Sequence, residues 1–245
     1  MIAKHFYLTE NVLCFTTTCL GGYSEAPFKS LNVAYHVGDK PELVAKNRQA
    51  IDDFIQSLSH KALPSIYMNQ QHTTRLCELD LGHYDLTKPM DGILTSRVNM
   101  PLAVMTADCL PVVLTDGKKI SAVHAGWRGL VDGIIEKAVA CFDDTTKLQV
   151  WIGPAISQRH FEVGEEVAKL FDKYSYAHCN QSKNGKYLLD LKEICQRKLQ
   201  MSGVSKIGVS DHCTYADDQY FSHRKATHEG QASTGRNATF ILRVC

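Results

Sequence analysis

Apolar residues along this chain follow two rhythms. Between residues 41 and 58 they recur every three to four positions, and Leu43, Val44, Asn47, Ile51, Phe54, Ile55 and Leu58 trace one mostly apolar stripe around an α-helix. Asp39 and Glu42 stand at capping-box spacing with Pro41 in the first turn, which marks the start of that helix. Elsewhere the runs are short and continuous: SIYMN (65–69), GILT (92–95), LAVMT (102–106), LPVVLT (110–115) and KISAVH (119–124). They are too short for helices and rich in β-branched residues, so they predict strands, expected to form one sheet. A Thr-rich run, NVLCFTTT, precedes them, and LQVWIG (148–153) adds another strand.

Helical spacing returns in GLVDGIIEKAVACF (129–142), where Leu130, Ile134, Ala138 and Cys141 share a face; further helices are expected over 162–173 and 190–202. HRKATHEGQASTGRN (223–237) reads as a loop. Strands first and an alternation of strands and helices afterwards imply an α/β or α+β layered domain. No repeat or low-complexity tract divides the chain, so residues 1–245 read as a single domain.

With 44% hydrophobic residues the chain can bury a substantial core, and its 27 basic residues nearly cancel 26 acidic ones. That balance gives no field favouring nucleic acid or an anionic membrane, and points to a small-molecule or protein partner. No signal-peptide pattern and no run near the roughly 20 apolar residues of a membrane span is present, so a cytoplasmic protein is expected. Nine cysteines, scattered and without a C-x-x-C pair, fit neither a disulfide framework nor a zinc ribbon. Cys77, Cys141 and Cys195 read as small apolar core residues.

Cys109 and His124 differ, because each falls at the end of an apolar run, as does His72. A thiolate and two imidazoles from separate strand ends make a three-ligand site for a borderline-soft ion such as zinc, with copper as the alternative and a fourth position left for water or substrate. The bland alternative is a packed cysteine and two hydrogen-bonded histidines, and the spacing alone does not choose between them. Asp108 beside Cys109 is harder to read as packing, since a carboxylate at a strand end needs a partner. After His124, Gly126-Trp127-Arg128-Gly129 turns from strand to helix; backbone N–H groups and Arg128 could meet an oxyanion there, or the glycines could simply serve a tight connection. Arg48, flanking the helical stripe, and the Arg224, Lys225 and Arg236 group near the C-terminus could likewise reach a substrate or lie in solvent.

TADCLPVVLTD, AVHAGWRGL and WIGPAI..RHFEVGEEV, with LGGYSEAPFKSLNVAYHVGDKPELVAKNR upstream and FSHRK...TGRNA..I downstream, together resemble the laccase-like multicopper polyphenol oxidase domain family, also called peptidoglycan editing factor. The match runs in order over nearly the whole chain. The resemblance implies a three-layer α/β/α domain on a mixed β-sheet, shared with toxins that act as cysteine hydrolases. It implies a metal site of His72, Cys109 and His124, and a purine nucleoside phosphorylase cleaving adenosine, inosine and methylthioadenosine with phosphate, with adenosine deaminase activity besides. Arg48, Gln70, Arg128, Arg224 and Arg236 are then the candidate substrate-binding side chains, and a homodimer is left open. Three stretches depart from the family pattern: Gln70-Gln71-His72-Thr73 around the first ligand, Cys19 where an arginine is usual, and Ser222-His223-Arg224-Lys225-Ala226 with a longer insertion before Gly235.

In the phosphorolysis reading, metal and basic residues position phosphate against the ribose C1′; in the deamination reading, Asp108 is the candidate proton carrier. A competing enzyme reading makes Cys109 a nucleophile with His124 as its base, a hydrolase or amidase acting in peptidoglycan precursor editing. A copper-dependent polyphenol oxidase is disfavoured because none of the 11 histidines forms an H-x-H pair. A non-enzymatic module that senses a nucleotide is the remaining alternative.

Overall fold

The short apolar runs do become strands, but of two sheets rather than one. The computed structural model describes residues 3, 5–82, 84–171, 180–181 and 185–244. In chain order these hold β1 (His5–Thr9), β2 (Val12–Thr16), α1 (Pro41–Leu58), β3 (Ile66–Tyr67), β4 (Leu76–Glu78), β5 (Gly92–Thr95), β6 (Leu102–Thr106), β7 (Leu110–Thr115) and β8 (Ile120–Ala125). There follow α2 (Trp127–Val131), α3 (Ile134–Val139), β9 (Gln149–Ile152), β10 (Glu162–Val163), α4 (Glu165–Ala168), β11 (Asn180–Gln181), β12 (Tyr187–Leu188), α5 (Leu191–Met201), β13 (Lys206–Val209), α6 (His223–His228) and β14 (Asn237–Arg243). One mixed sheet runs β1-β2-β14-β6-β3, a second β13-β9-β7-β8-β5-β4, and β10-β12-β11 form a small third.

Side-chain alternation explains why the two large sheets lie face to face. In β2, Val12 and Cys14 join Leu102, Val104 and Ile241 in a core shared with Ile93, Val113, Ile120 and Ala122 of the other sheet. The intervening Leu13, Phe15, Ala103, Met105, Phe240 and Leu242 face α1 and pack on Ile51 and Ile55. On the far side Val112, Leu114, Val123, Val150 and Ile152 cover Leu130, Ile134, Ile135, Ile194 and Leu199 of the helices. Central strands are thus buried on both faces, which is why they read as continuous apolar runs rather than alternating ones. The mixed α/β class stands as expected, while the expected single central sheet is a pair.

Four local expectations change. Lys40, not Asp39, is the N-cap of α1 and no side chain caps it. Asp39 is buried instead, accepting from Ser24 Oγ (2.6 Å) and Asn32 Nδ2 (2.8 Å). The helix expected over 129–142 breaks at Gly133, where φ is +84°. Over 162–173 the described residues form β10, α4 and a 3-10 turn at Lys169–Phe171, with 172–173 outside the described residues. Within the 223–237 loop, Ser222 accepts from the Lys225 amide and starts α6.

Asn47, counted in the apolar stripe, is fully buried for a polar reason. Its Nδ2 donates to Ser24 Oγ (2.9 Å), Asn32 O (2.8 Å) and Ser30 O (3.1 Å), and its Oδ1 accepts from Tyr23 N (2.7 Å). One amide therefore fastens the 22–32 segment to α1. Replacing Asn47 by Ala strands several buried groups, and should lower stability by about 2–4 kcal/mol, read as an earlier urea midpoint with unchanged slope.

Candidate metal centre and its cavity

The site forms where the chain crosses from one sheet to the other. β6 ends at Thr106 in the first sheet and β7 begins at Leu110 in the second, so Ala107-Asp108-Cys109 is the link. Asp108 takes φ +93°, a left-handed conformation that a non-glycine residue holds only when its surroundings fix it. Those surroundings are visible: its Oδ1 accepts from Thr214 Oγ1 and its Oδ2 from the Arg224 amide, each at 2.7 Å. Cys109 is delivered to the start of β7. In β8, His124 has the parity of Ile120 and Ala122 and so faces the inter-sheet core, paired across from Pro111. His72, between β3 and β4, is also left-handed at φ +57°.

The ligand atoms of His72, Cys109 and His124 all lie within 4.8 Å of one another. Cys109 Sγ is 3.7 Å from His72 Nε2. Ligands about 2.0–2.3 Å from a tetrahedral zinc stand roughly 3.3–3.8 Å apart, so the donors have the spacing and the chemistry for such an ion. Among the described residues this is the one group of three or more such side chains that comes together.

Asp91, which nothing in the local sequence distinguishes, holds two of the three ligands. It is fully buried just ahead of β5. Its Oδ1 accepts from His124 Nδ1 at 2.7 Å and from the His72 amide at 3.1 Å. Its Oδ2 accepts from Thr73 N (2.6 Å), Thr73 Oγ1 (2.9 Å) and Gln71 N (3.2 Å). The bond to Nδ1 leaves His124 Nε2 for the ligand cluster and fixes the ring's orientation, a recurrent arrangement around metal-binding histidines. Burial disfavours the charged Asp91, but His124 and the Thr73 donors outweigh it and hold the carboxyl below its usual range. Burial likewise opposes a Cys109 thiolate, yet His124 and His72 beside it bring the thiol down to about 6. The reciprocal effect of the Cys109 sulfur and Asp91 lifts His124 above an ordinary histidine against its own burial.

Gly126, which could open an anion-binding turn or serve a tight connection, serves close approach. A Cβ there would sit 2.8 Å from His72 Cδ2 and 3.1 Å from Cys109 Sγ. Its φ of −76° suits any residue, so space rather than conformation demands glycine. The helix it opens is one turn long, and Arg128 is exposed with its guanidinium 4.2 Å from the Trp127 ring centroid. Arg128 does not line the cavity beside the ligands.

That cavity, about 220 Å³, meets His72, Cys109, His124, Gln70 and Arg236, and also His36 and His223, which sequence reasoning had not marked. Gln70 pairs with both the N–H and C=O of Met105, at 2.8 and 2.6 Å, and so joins the cavity wall to β6. Arg236 is anchored on the carbonyls of Thr234 (2.8 Å) and Gly235 (3.1 Å). Burial and the cations Arg236 and Arg48 hold His36 below the usual histidine range. Arg48 lies behind this wall, its Nε donating to Val33 O at 2.8 Å and its guanidinium 3.7 Å from the Tyr67 ring centroid. Thr106 Oγ1, in the wall, is buried and has no partner among the described residues.

Two candidates point elsewhere. Asp108, expected as a proton carrier, has both carboxylate oxygens bonded to Thr214 and Arg224 and supports the crossover. Arg224, expected at the substrate, sends its guanidinium to Glu162 O (2.9 Å) and His160 O (3.3 Å). Lys225 pairs with Asp218. The signal for His36 and His223 was present only as histidines inside the long family blocks, without a periodicity to mark which of the 11 converge.

With this geometry in place, comparison with known proteins is informative. Residues 13–244 match the family described as multi-copper polyphenol oxidoreductase laccase. A purine nucleoside phosphorylase of Shigella flexneri is 36% identical over 98% of both chains, and one of Haemophilus influenzae 34% identical over 95% of this chain and 97% of its own. A crystal structure from Neisseria meningitidis superposes with a TM-score of 0.88 at 32% identity over 100% of each chain. One from Geobacillus stearothermophilus gives 0.87 at 28%, covering 97% of this chain and 94% of that one.

Replacing Asp91 by Asn removes the acceptor that orients His124 and should weaken zinc affinity about 10–100-fold, measured by competition with a chromophoric chelator. Gly126→Ala should weaken metal binding while the circular dichroism spectrum is kept; unchanged affinity would contradict the close approach. In metal-free protein the Cys109 thiolate should be lost only as pH falls through about 6, so alkylation by iodoacetamide should be half-maximal near there rather than at the ordinary thiol value of 9.0. Zinc should block that alkylation.

Proposed function

The chain belongs to the multi-copper polyphenol oxidoreductase laccase family, and on that premise we propose that it is a zinc-dependent purine nucleoside phosphorylase cleaving adenosine, inosine and methylthioadenosine. The observation that carries the reading is the three-ligand group of His72, Cys109 and His124 opening onto a cavity lined by Arg236, His36 and His223. The names of the Shigella and Haemophilus relatives supply the substrate class.

In the reaction the C1′–N9 bond of the nucleoside breaks, a C1′–O bond to phosphate forms, and the purine leaves with a proton. Arg236 and His36 bind the phosphate oxygens, Arg236 as a fixed cation because its guanidinium is tied to the backbone. Thr106 offers a hydroxyl that has no partner among the described residues, and Gln70 holds the facing wall in register. His223, in the wall and exposed, donates to the departing base. His72, Cys109 and His124 would hold zinc, which supplies Lewis acidity and, at its open position, lowers the pKa of water toward about 7. Adenosine deamination, in which water replaces the C6 amino group and ammonia leaves, is the second activity proposed for the same site. Laccase chemistry, despite the family's name, lacks a basis in the donor set, since one cluster of three ligands comes together among the described residues.

One observation favours a second reading. The Cys109 thiol is lowered by His124, the charge state that a cysteine nucleophile requires. The readings separate on zinc: it should activate a phosphorylase and inhibit a cysteine hydrolase.

Purified zinc-loaded protein should convert adenosine to adenine and ribose-1-phosphate when phosphate is present, and to inosine when it is absent, as resolved by chromatography. Cys109→Ala should lose one metal per chain and both products together. Absence of product in either buffer with metal bound would overturn the proposal.

A further inference from the structure

A second cavity, about 310 Å³, lies at the same end of the inter-sheet layer as the metal site. The placement follows from the topology: β14 is antiparallel to both β2 and β6, so β2 and β6 run the same way and end together, at Thr16 and Thr106. Thr16 lines the second cavity and Thr106 the metal cavity. The two walls have different chemistry. The metal cavity is bordered by Arg236 and four histidines, whereas no Lys, Arg, Asp or Glu among the described residues lines the second.

Aromatic rings and neutral hydrogen-bonding groups take their place. Phe6 and Trp151 meet edge to face at 4.9 Å and 72°, and His212 and Tyr220 at 5.6 Å and 61°. Ser210 and Gln219 add a hydroxyl and an amide. His212 Nδ1 is engaged by Asp217 at 2.8 Å, so the ring is held, and its Nε2 faces the exposed Asp211 carboxylate at 3.9 Å. Aromatic walls with a few placed neutral donors and acceptors are what a flat, uncharged heterocycle needs.

A short segment connects the cavities. Gln219 and Tyr220 line the second, and His223 lines the metal cavity. Between them Phe221 is clamped by Asn237, whose Oδ1 accepts from the Phe221 amide and whose Nδ2 donates to its carbonyl, both at 2.9 Å. The amide of Arg224, directly after His223, bonds Asp108 beside Cys109. A ligand against Tyr220 therefore bears on the strip of backbone that positions His223.

We propose that this second cavity binds a neutral planar heterocycle, the free purine base, as a site separate from the metal cavity. The choice of purine rests on the phosphorolysis reading, in which that base is the released product; the cavity's chemistry does not depend on it.

The test is calorimetric titration of adenine and hypoxanthine into wild type, Cys109→Ala, Thr18→Trp and Gln219→Leu proteins, with ribose as the non-planar control. Thr18 also lines the cavity, and a tryptophan there fills it. One base per chain should bind to Cys109→Ala with wild-type affinity and quench Trp151 fluorescence. Thr18→Trp should weaken binding at least tenfold while leaving turnover at saturating nucleoside intact, and Gln219→Leu should weaken it severalfold. Loss of binding in Cys109→Ala would place the base in the metal cavity alone and overturn the proposal. Equal affinity in wild type and Gln219→Leu would do so even if Thr18→Trp does not fold, and so would the absence of heat at millimolar base. Product formation without base binding removes this inference only, and base binding without product formation removes only the phosphorylase reading.

Discussion

A carboxylate buried with no lysine or arginine partner among the described residues sets the terms for the rest of this molecule. Asp91 is fully enclosed, and every donor it receives comes from the segment carrying His72 or from the ring of His124. Such a charge is costly unless hydrogen bonds and an opposite charge compensate it. The compensation links parts far apart in sequence: the β3–β4 connection wraps around one end of the carboxylate and the tip of β8 closes the other. Counting the thiolate that His124 favours, the cluster holds two negative groups and one positive imidazole. A divalent cation held by the three ligands would take the place of the His124 Nε2 proton, and its two positive charges would match the two negative groups, so charge as well as donor type fits a metal.

Strain is gathered at the same place. His72 and Asp108 are two of three described non-glycine residues with positive φ, and both sit at the site. Each is held by bonds made outside the ligand cluster, the His72 segment by Asp91 and Asp108 by Thr214 and the start of α6. Backbone in such conformations persists where its neighbours over-determine it. The donors are accordingly arranged by contacts that need no ion.

What the sequence disclosed follows from the range of the interactions concerned. Local rules found α1, the strands 92–95, 102–106 and 110–115, and α5, because burial on one or both faces writes itself into adjacent residues. They did not divide the strands between two sheets, since that choice lies in which non-adjacent runs pair, as β14 does with β2 and β6. They also gave Asp39 a capping role it lacks, because its tertiary partners Ser24 and Asn32 compete more strongly than the helix end. The metal ligands were individually weak signals and became a triad through the family blocks. The bonds of Asp91 and the approach of His36 and His223 to the cavity exist only after the sheets are assembled, and charge in a motif does not say which way the Arg224 and Asp108 side chains turn.

The crossover from β6 to β7 has one more consequence. His72 and Cys109 stand 37 positions apart, on two of the connections that carry the chain between the sheets. An ion held by both would close β4, β5 and β6 into a ring, and closing a ring removes freedom from the unfolded chain more than from the folded one. Such an ion would add a link between the two sheets at one end of the sandwich, beside the cavity.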